Sequence, residues 1–361
     1  MIRQIRRLTH AVPALGPGVS AIAIYSEATR RGMRDTCTTE SGFEGVACVD
    51  DTARLASLYI AFWRNDEEPH WRTAAMEALA FVRAMQTPEG WFVNFISSWD
   101  GTKNMVGRTS ADPYGPWLAR ACHALADGVA AFGDQGCTAA FERAMPWLDE
   151  ATPYLDVRAV ALLAALRYGE ATRSGAAAER AIRWADEIYS ARWQRILPDS
   201  RGSSTVHLWG HLQECALAEA GAYFGRPEWI EAARASAERL LIPAVDFGFP
   251  GPRSIAFDVS CAVRGLAAVG KATGDARYAR YADLGRAWFD GRNAAAAPVF
   301  DRQRGLAYDG IDHGRVSQNS GAESNVEAGL ALVAAKRPQA YGDAMLFVPD
   351  GPVDVCARVT G

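Results

Sequence analysis

The chain has 361 residues, a formal net charge of −4 and 49% hydrophobic residues, enough for one large domain or two ordinary ones with a sizeable core. No basic run offers the footprint that phosphate backbones require, so nucleic-acid binding is set aside. No window approaches the ~20 apolar residues of a membrane span. The N-terminus has basic residues but lacks the apolar run of a signal peptide, and the seven cysteines are scattered without a CxxC pair. Together these read as a cytoplasmic protein with reduced thiols.

From residue 18 onward, Ala-rich segments with apolar residues three and four apart recur, broken by Gly, Pro and Asp. The spacing predicts helices over 48–65, 70–87, 113–133, 136–150, 152–172, 178–193, 207–225, 226–245, 255–274, 275–293 and 321–336. They alternate in kind. LDVRAVALLAALRYG and DVSCAVRGLAAVGKATG are apolar around most of their circumference, whereas PEWIEAARASAERLL and ARYARYADLGRAWFDG carry a charged face. The first kind belongs inside and the second outside. Six inner helices starting near 48, 113, 152, 207, 255 and 321, five outer partners and an N-terminal helix over 18–32 predict an all-α, (α/α)6 toroid forming one domain over 1–361. An open solenoid is the competing arrangement, but long inserts at 88–112, 194–206 and 294–320 make the repeat irregular and favour closure.

The inserts precede inner helices and so share one end of the ring with those helices' N-termini, which favour carboxylates and oxygen-rich ligands. Asp50, Asp51, Asp112, His207, Trp209, His211, Glu214, Asp258 and Glu323 fall there. Taken singly, an Asp at a helix start is a cap. Taken together, they form a ring of facing carboxylates, which proteins tolerate mainly for function. Asp50 and Asp51 stand one turn before Arg54, a spacing that also suits a plain intrahelical ion pair. In the 88–112 insert, Trp91, Phe92, Phe95 and Trp99 interleave with Asn94, Asp100, Asn104 and Arg108, an aromatic floor with polar groups of the kind sugars bind, or else a satellite apolar cluster. His207 and His211 have metal-ligand spacing, but HExxH and a nearby third ligand are missing. Sugar hydrogen bonding, with Trp209 stacking, is the expected role, and no metal or cofactor is expected. The last insert supplies Asp309, His313 and Asn319, and Tyr114 precedes the second inner helix.

These motifs resemble a family of bacterial proteins often labelled glycosyltransferases, often encoded beside mannoside phosphorylases and similar to six-hairpin glycosidase toroids. The family's DDNARAL-type stretch is matched by DDTARL, with Thr52 in place of Asn, and its NFMS-type strand by Asn94, Phe95 and Ser97. Its SEDSHGRALWAL-type helix start is matched in Ser110, Asp112 and Gly115, while Tyr114 and Pro116 depart. Its WFLGxNDxGxPLYDPxTGGCYDGL…NQGAES signature is matched by WFDGRNAAAAPVFDRQRGLAYDGIDHGRVSQNSGAES. The resemblance implies the toroid and sugar chemistry rather than a named substrate.

The leading expectation is a glycoside hydrolase acting on an oligo- or polysaccharide, with Asp112 and Glu323 as the carboxyl pair, Asp51 orienting water or sugar between them, and an inverting outcome because the pair comes from separated helices. The remaining candidates, Asp50, Arg54, Trp91, Asn94, Trp99, Arg108, Tyr114, His207, Trp209, His211, Glu214, Asp258, Asp309, His313 and Asn319, would bind substrate. A sugar epimerase or polysaccharide lyase using His207, His211 or Tyr114 as base, a class-II-like terpene cyclase using the VDDTA acid, and a non-catalytic carbohydrate binder are the alternatives.

Overall fold

The alternation of apolar and amphipathic segments resolves into two concentric layers of helices. The computed structural model describes residues 1–30, 32–35, 44–150, 152–203 and 206–335. Six inner helices, Val49–Asp66, Trp117–Phe132, Leu155–Thr172, Gln213–Phe224, Ala256–Thr273 and Ala322–Ala335, each pack on the next, and the sixth returns to the first. The result is an (α/α)6 toroid. Outer helices Pro69–Ala84, Gln135–Leu148, Gly175–Ser190, Pro227–Ser236 and Ala276–Arg286 each pack behind the inner helix they follow.

The layers follow from residue pattern. The third inner helix is buried on nearly every face, from Leu155 and Ala159 through Leu166 and Gly169. Its outer partner buries only the stripe Ala177, Ala181, Trp184, Ala185 and Ile188. Large indoles anchor the outer layer: Trp71, Trp184, Trp229 and Trp288 are all fully buried. Ends are set by local chemistry. Asp134, Ser174 and Asp275 accept the backbone N–H groups of Cys137, Ala177 and Arg277, and Gly133, Gly225 and Gly274 close helices in the left-handed region.

Several boundaries depart from expectation. The 18–32 segment is not a helix: Ser20–Ile22 pairs with Thr9–Ala11, and Ser26–Thr29 pairs with Gly32–Asp35. Ala21, Ile22 and Ala23 are buried in succession, as a short strand enclosed on both faces allows. The helix beside the sixth inner helix is instead Ile2–Leu8. The second inner helix starts at Trp117 rather than near 113, because Asp112–Pro116 forms a turn, and the fourth starts at Gln213 because 207–212 is a loop. The 226–245 helix passes through a π-type turn, Ala237–Leu241, into Ile242–Asp246.

Short strands finish the end of the ring where the inner helices begin. Ala47–Cys48 pairs with Phe95–Ile96, and Gly310–Asp312 lies between Arg253–Ile255 and Arg315–Val316. Two glycines of the C-terminal signature allow this weave. A Cβ on Gly310, whose φ is +151°, would lie 2.3 Å from the Ser254 carbonyl oxygen, and one on Gly321 would lie 2.6 Å from that of Ile24. Among the described residues no helix is long and apolar enough to cross a membrane, and the five described cysteines are free and buried. Cys37 and Cys356 lie outside the described residues.

Candidate active site

The N-terminal ends of the first and sixth inner helices bring Asp50, Asp51, Arg54 and Glu323 to one cleft, a cavity of about 240 Å³ also lined by Tyr25, Asn94, Arg253 and Asp309. Arg54 is its hub. It donates from Nη2 to Asp51 Oδ1 at 2.6 Å and to Glu323 Oε2 at 3.2 Å, and from Nη1 to the fully buried Glu327 at 2.8 Å. Asp50 Oδ2 lies 3.8 Å from the same Nη2. Asp50 is gripped on its other side by Arg120 of the second inner helix, which hydrogen-bonds both carboxylate oxygens. Asn94 holds the backbone beneath, accepting from the Asp50 N–H at 3.2 Å and donating to the Thr109 carbonyl at 3.0 Å. Asp51 also accepts from the Cys48 thiol, and the Cys48 sulfur in turn accepts from the Asp51 N–H.

These contacts drive the carboxyls in opposite directions. Burial within the ring, with Asp51 and Glu327 nearby, pushes Glu323 up to about 7 although Arg54 pulls the other way. Its side chain is nonetheless 43% exposed, toward the cleft. For Asp50, burial is outweighed by Arg120 and Arg54, which hold it below the usual carboxylate range. Asp51 is raised by burial and by Asp50, against Arg54. Asp309 is raised by burial, partly offset by the Gly321 N–H at 2.8 Å and the Ser324 hydroxyl at 2.7 Å. Asn319 does not line the cleft but donates to the Tyr25 hydroxyl, which does.

Other expected site residues go elsewhere. Asp112 is exposed in the turn before the second inner helix, where it accepts the Tyr114 N–H at 2.9 Å; it is absent from the cleft lining and does not face Glu323 there. Tyr114, 54% exposed, leans on Trp147. Trp91 packs on the core, Trp99 packs on His10, and Arg108 is exposed. His313 is exposed against Asp312. None of these residues lines the cleft.

His211 and Glu214 are sealed into a separate cluster. The fully buried His211 ring contacts Asp199 Oδ1 through Nδ1 and Glu214 Oε2 through Nε2, both at 2.9 Å. Burial opposes its charge, but Glu214 and Asp199 outweigh this and hold it up to about 10. Glu214 also accepts from the Ser236 hydroxyl. His207 stacks face to face on Trp209, which is 46% exposed, with centroids 3.9 Å apart. Asp258 caps the fifth inner helix through the Ile255 N–H at 2.8 Å and is raised by burial.

Sequence reasoning missed Arg120, Arg253, Tyr25, Phe257 and Asp156. Arg120 and Arg54 both lie over Phe257, at 5.3 and 4.7 Å from the ring centre, and close the cleft floor. Asp156, in the first turn of the third inner helix, has Oδ1 buried without a hydrogen bond. The readable signal is an arginine inside an Ala- and Leu-rich inner helix, as in WLARACHALA, because a buried guanidinium demands a carboxylate partner. Among the described residues no group of three or more His, Cys, Asp or Glu is placed to hold a metal ion.

No family model matches the chain, and no curated protein matches it in sequence. Solved structures do match. A D-mannose isomerase superposes with a TM-score of 0.64 at 12% identity, covering 89% of this chain and 93% of that one. The cellobiose 2-epimerase of Spirochaeta thermophila gives 0.63 at 15% identity, covering 92% of each chain. An inactive variant of a Salegentibacter α-1,6-mannanase, with two consecutive aspartates changed to asparagine and α-1,6-mannotriose bound, gives 0.62 at 10% identity, covering 92% and 96%. At these identities the likeness is one of architecture, and the architecture is the (α/α)6 toroid of sugar isomerases, epimerases and glycoside hydrolases.

Proposed function

We propose that the chain is a glycoside hydrolase in which Glu323 is the general acid and Asp50 the general base or nucleophile, with Arg54 and Asp51 fixing both. The carrying observation is the opposite displacement of two cleft carboxyls that share one arginine. Glu323, near 7, keeps a proton to give a leaving oxygen, while Asp50, held low by Arg120, stays ionised. Splitting two carboxyls in this way divides the acid and base roles. The contacts with Arg54 Nη2, at 3.8 and 3.2 Å, allow Asp50 Oδ2 and Glu323 Oε2 to be at most about 7 Å apart. That limit admits a nucleophile pair at ~5–5.5 Å or the lower end of the water-activating range of ~6.5–9.5 Å. Asp112, outside the cleft, gives way to Asp50 in this assignment, so inversion no longer follows from a pair on the second and sixth inner helices.

The mannanase supports the reading in one respect: its inactive variant lacks a consecutive aspartate pair, and Asp50 and Asp51 are such a pair here. The test is to incubate the purified chain with short oligosaccharides, α-mannosides first, and follow reducing ends, product mass and the anomer released first. Hydrolysis that is lost in Glu323→Gln and Asp50→Asn supports the assignment. An inverted first product gives Asp50 the water-activating role, and a retained one makes it the nucleophile. Products of unchanged mass but altered configuration would replace hydrolysis with epimerisation, and unsaturated products would replace it with elimination.

A further inference from the structure

Below the Arg54–Phe257–Arg120 floor, the ring encloses a second cavity of about 230 Å³, reaching along the inner helices toward their C-terminal ends. It is lined by charge that the proposed reaction does not use: Arg64, His123, Asp127, Arg167, Glu219 and Arg264. Aliphatic side chains complete the lining, Val160 and Leu163 from the third inner helix and Leu330 and Val333 from the sixth.

This charge is loosely paired. Asp127 is approached by Arg64 at 3.9 Å, His123 at 3.9 Å and Arg167 at 3.4 Å, and Arg167 meets Glu219 at 3.7 Å. In the cleft, Arg54 holds Asp51 at 2.6 Å. Arg167 Nε is buried without a hydrogen bond, and Arg264, whose charge Glu327 and Glu219 favour from a distance, makes no direct hydrogen bond or ion pair with a described residue. Arg54 and Arg120 are committed upward to the cleft carboxylates. Burial, together with Arg264 and Arg167, lowers His123 despite Asp127, which leaves the ring neutral. Three guanidiniums and two carboxylates thus line the cavity, with Glu327 supporting the charge of Arg264 from beyond it. The planar donor fork of a guanidinium that bonds no neighbour directly matches an oxyanion.

We propose that this lower cavity is a second binding site, independent of the hydrolase reading, for an oxyanion carried on a small organic body. Arg264 and Arg167 take the anion, and the aliphatic side chains of Val160, Leu163, Leu330 and Val333 pack the body. A carboxylate and a phosphate ester share this chemistry, so the ligands tested are glucuronate and glucose 6-phosphate, with inorganic phosphate lacking the body and glucose lacking the charge.

The experiment is calorimetric titration of the full chain with each of the four. The expected result is saturable binding of glucuronate or glucose 6-phosphate, whichever binds identifying the anion class, with inorganic phosphate weaker and glucose silent. Arg264→Gln should weaken binding at least tenfold, as expected for a charge-assisted contact of about 1.5–3 kcal/mol. Arg264→Lys should recover part of it, and its melting temperature checks that the ring is intact. Glu323→Gln should leave the affinity unchanged. No saturable binding of any anion would overturn the proposal, as would equal binding of glucose, or affinity unaltered in both Arg264 variants. Loss of binding in Glu323→Gln would move the anion to the cleft and overturn it too. Binding of inorganic phosphate alone would overturn the organic-body half.

Discussion

Two carboxylate clusters sit near the starts of inner helices, and they are built for opposite ends. Around His211, two carboxylates close on one imidazolium at 2.9 Å on each side, Glu214 is wholly buried, and the Ser236 hydroxyl satisfies it further. Around Arg54, four helix-borne carboxylates, Asp50, Asp51, Glu323 and Glu327, share one guanidinium, and Glu323 is left facing the cleft with a carboxyl near 7. Each cluster gathers Asp and Glu carboxylates around one cationic side chain. What separates them is how completely each charge is answered: the first is a sealed brace, while the second keeps one proton close to its exchange point.

The contrast can be broken by substitution. The largest effect is expected at Glu323: Glu323→Gln should lower kcat about 10²–10⁴-fold, the usual worth of a positioned acid, with the melting temperature nearly unchanged. A substrate with a leaving group that needs no proton should regain much of that loss. His211→Ala should do the reverse, costing about 3–5 kcal/mol of stability by stranding two buried carboxylates, as read by denaturant unfolding. The brace also has a pH signature. His211 is raised in the fold from 6.5 to about 10, so its contribution is fully present below 6.5 and is lost as pH rises through about 10. Stability of the parent should therefore fall across that interval, and the fall should flatten in a His211→Gln chain. Smallest of all, Asp112→Asn should change stability by less than about 0.5 kcal/mol and leave turnover intact, because Asp112 serves an exposed turn.

Much of this architecture was legible in residue order. Apolar and amphipathic helices alternate, and that alternation alone gave two layers and six inner helices. The 18–32 segment misled because a short buried strand such as Ser20–Ile22 and one turn of helix both offer apolar residues close together, and the pairing with Thr9–Ala11 is a contact that composition does not encode. At the site, Asp50, Asp51, Arg54, Asn94, Asp309 and Glu323 do reach one cleft. Asp112 fails because helix-start position says nothing about which way a turn aims its carboxylate. His211 fails because a helix-start histidine looks alike whether it faces a ligand or a buried Asp199 distant in sequence. Arg120 is not legible because an arginine within an apolar helix does not itself show which carboxylate it will hold.

The most direct measurement is the pH dependence of kcat/KM for a cleaved oligosaccharide. If Glu323 gives its proton to the leaving oxygen, activity should fall as pH rises through about 7, and that limb should vanish from the residual activity of Glu323→Gln. A profile that stays level well above 7, or a basic limb that persists unchanged in the glutamine variant, would contradict the account.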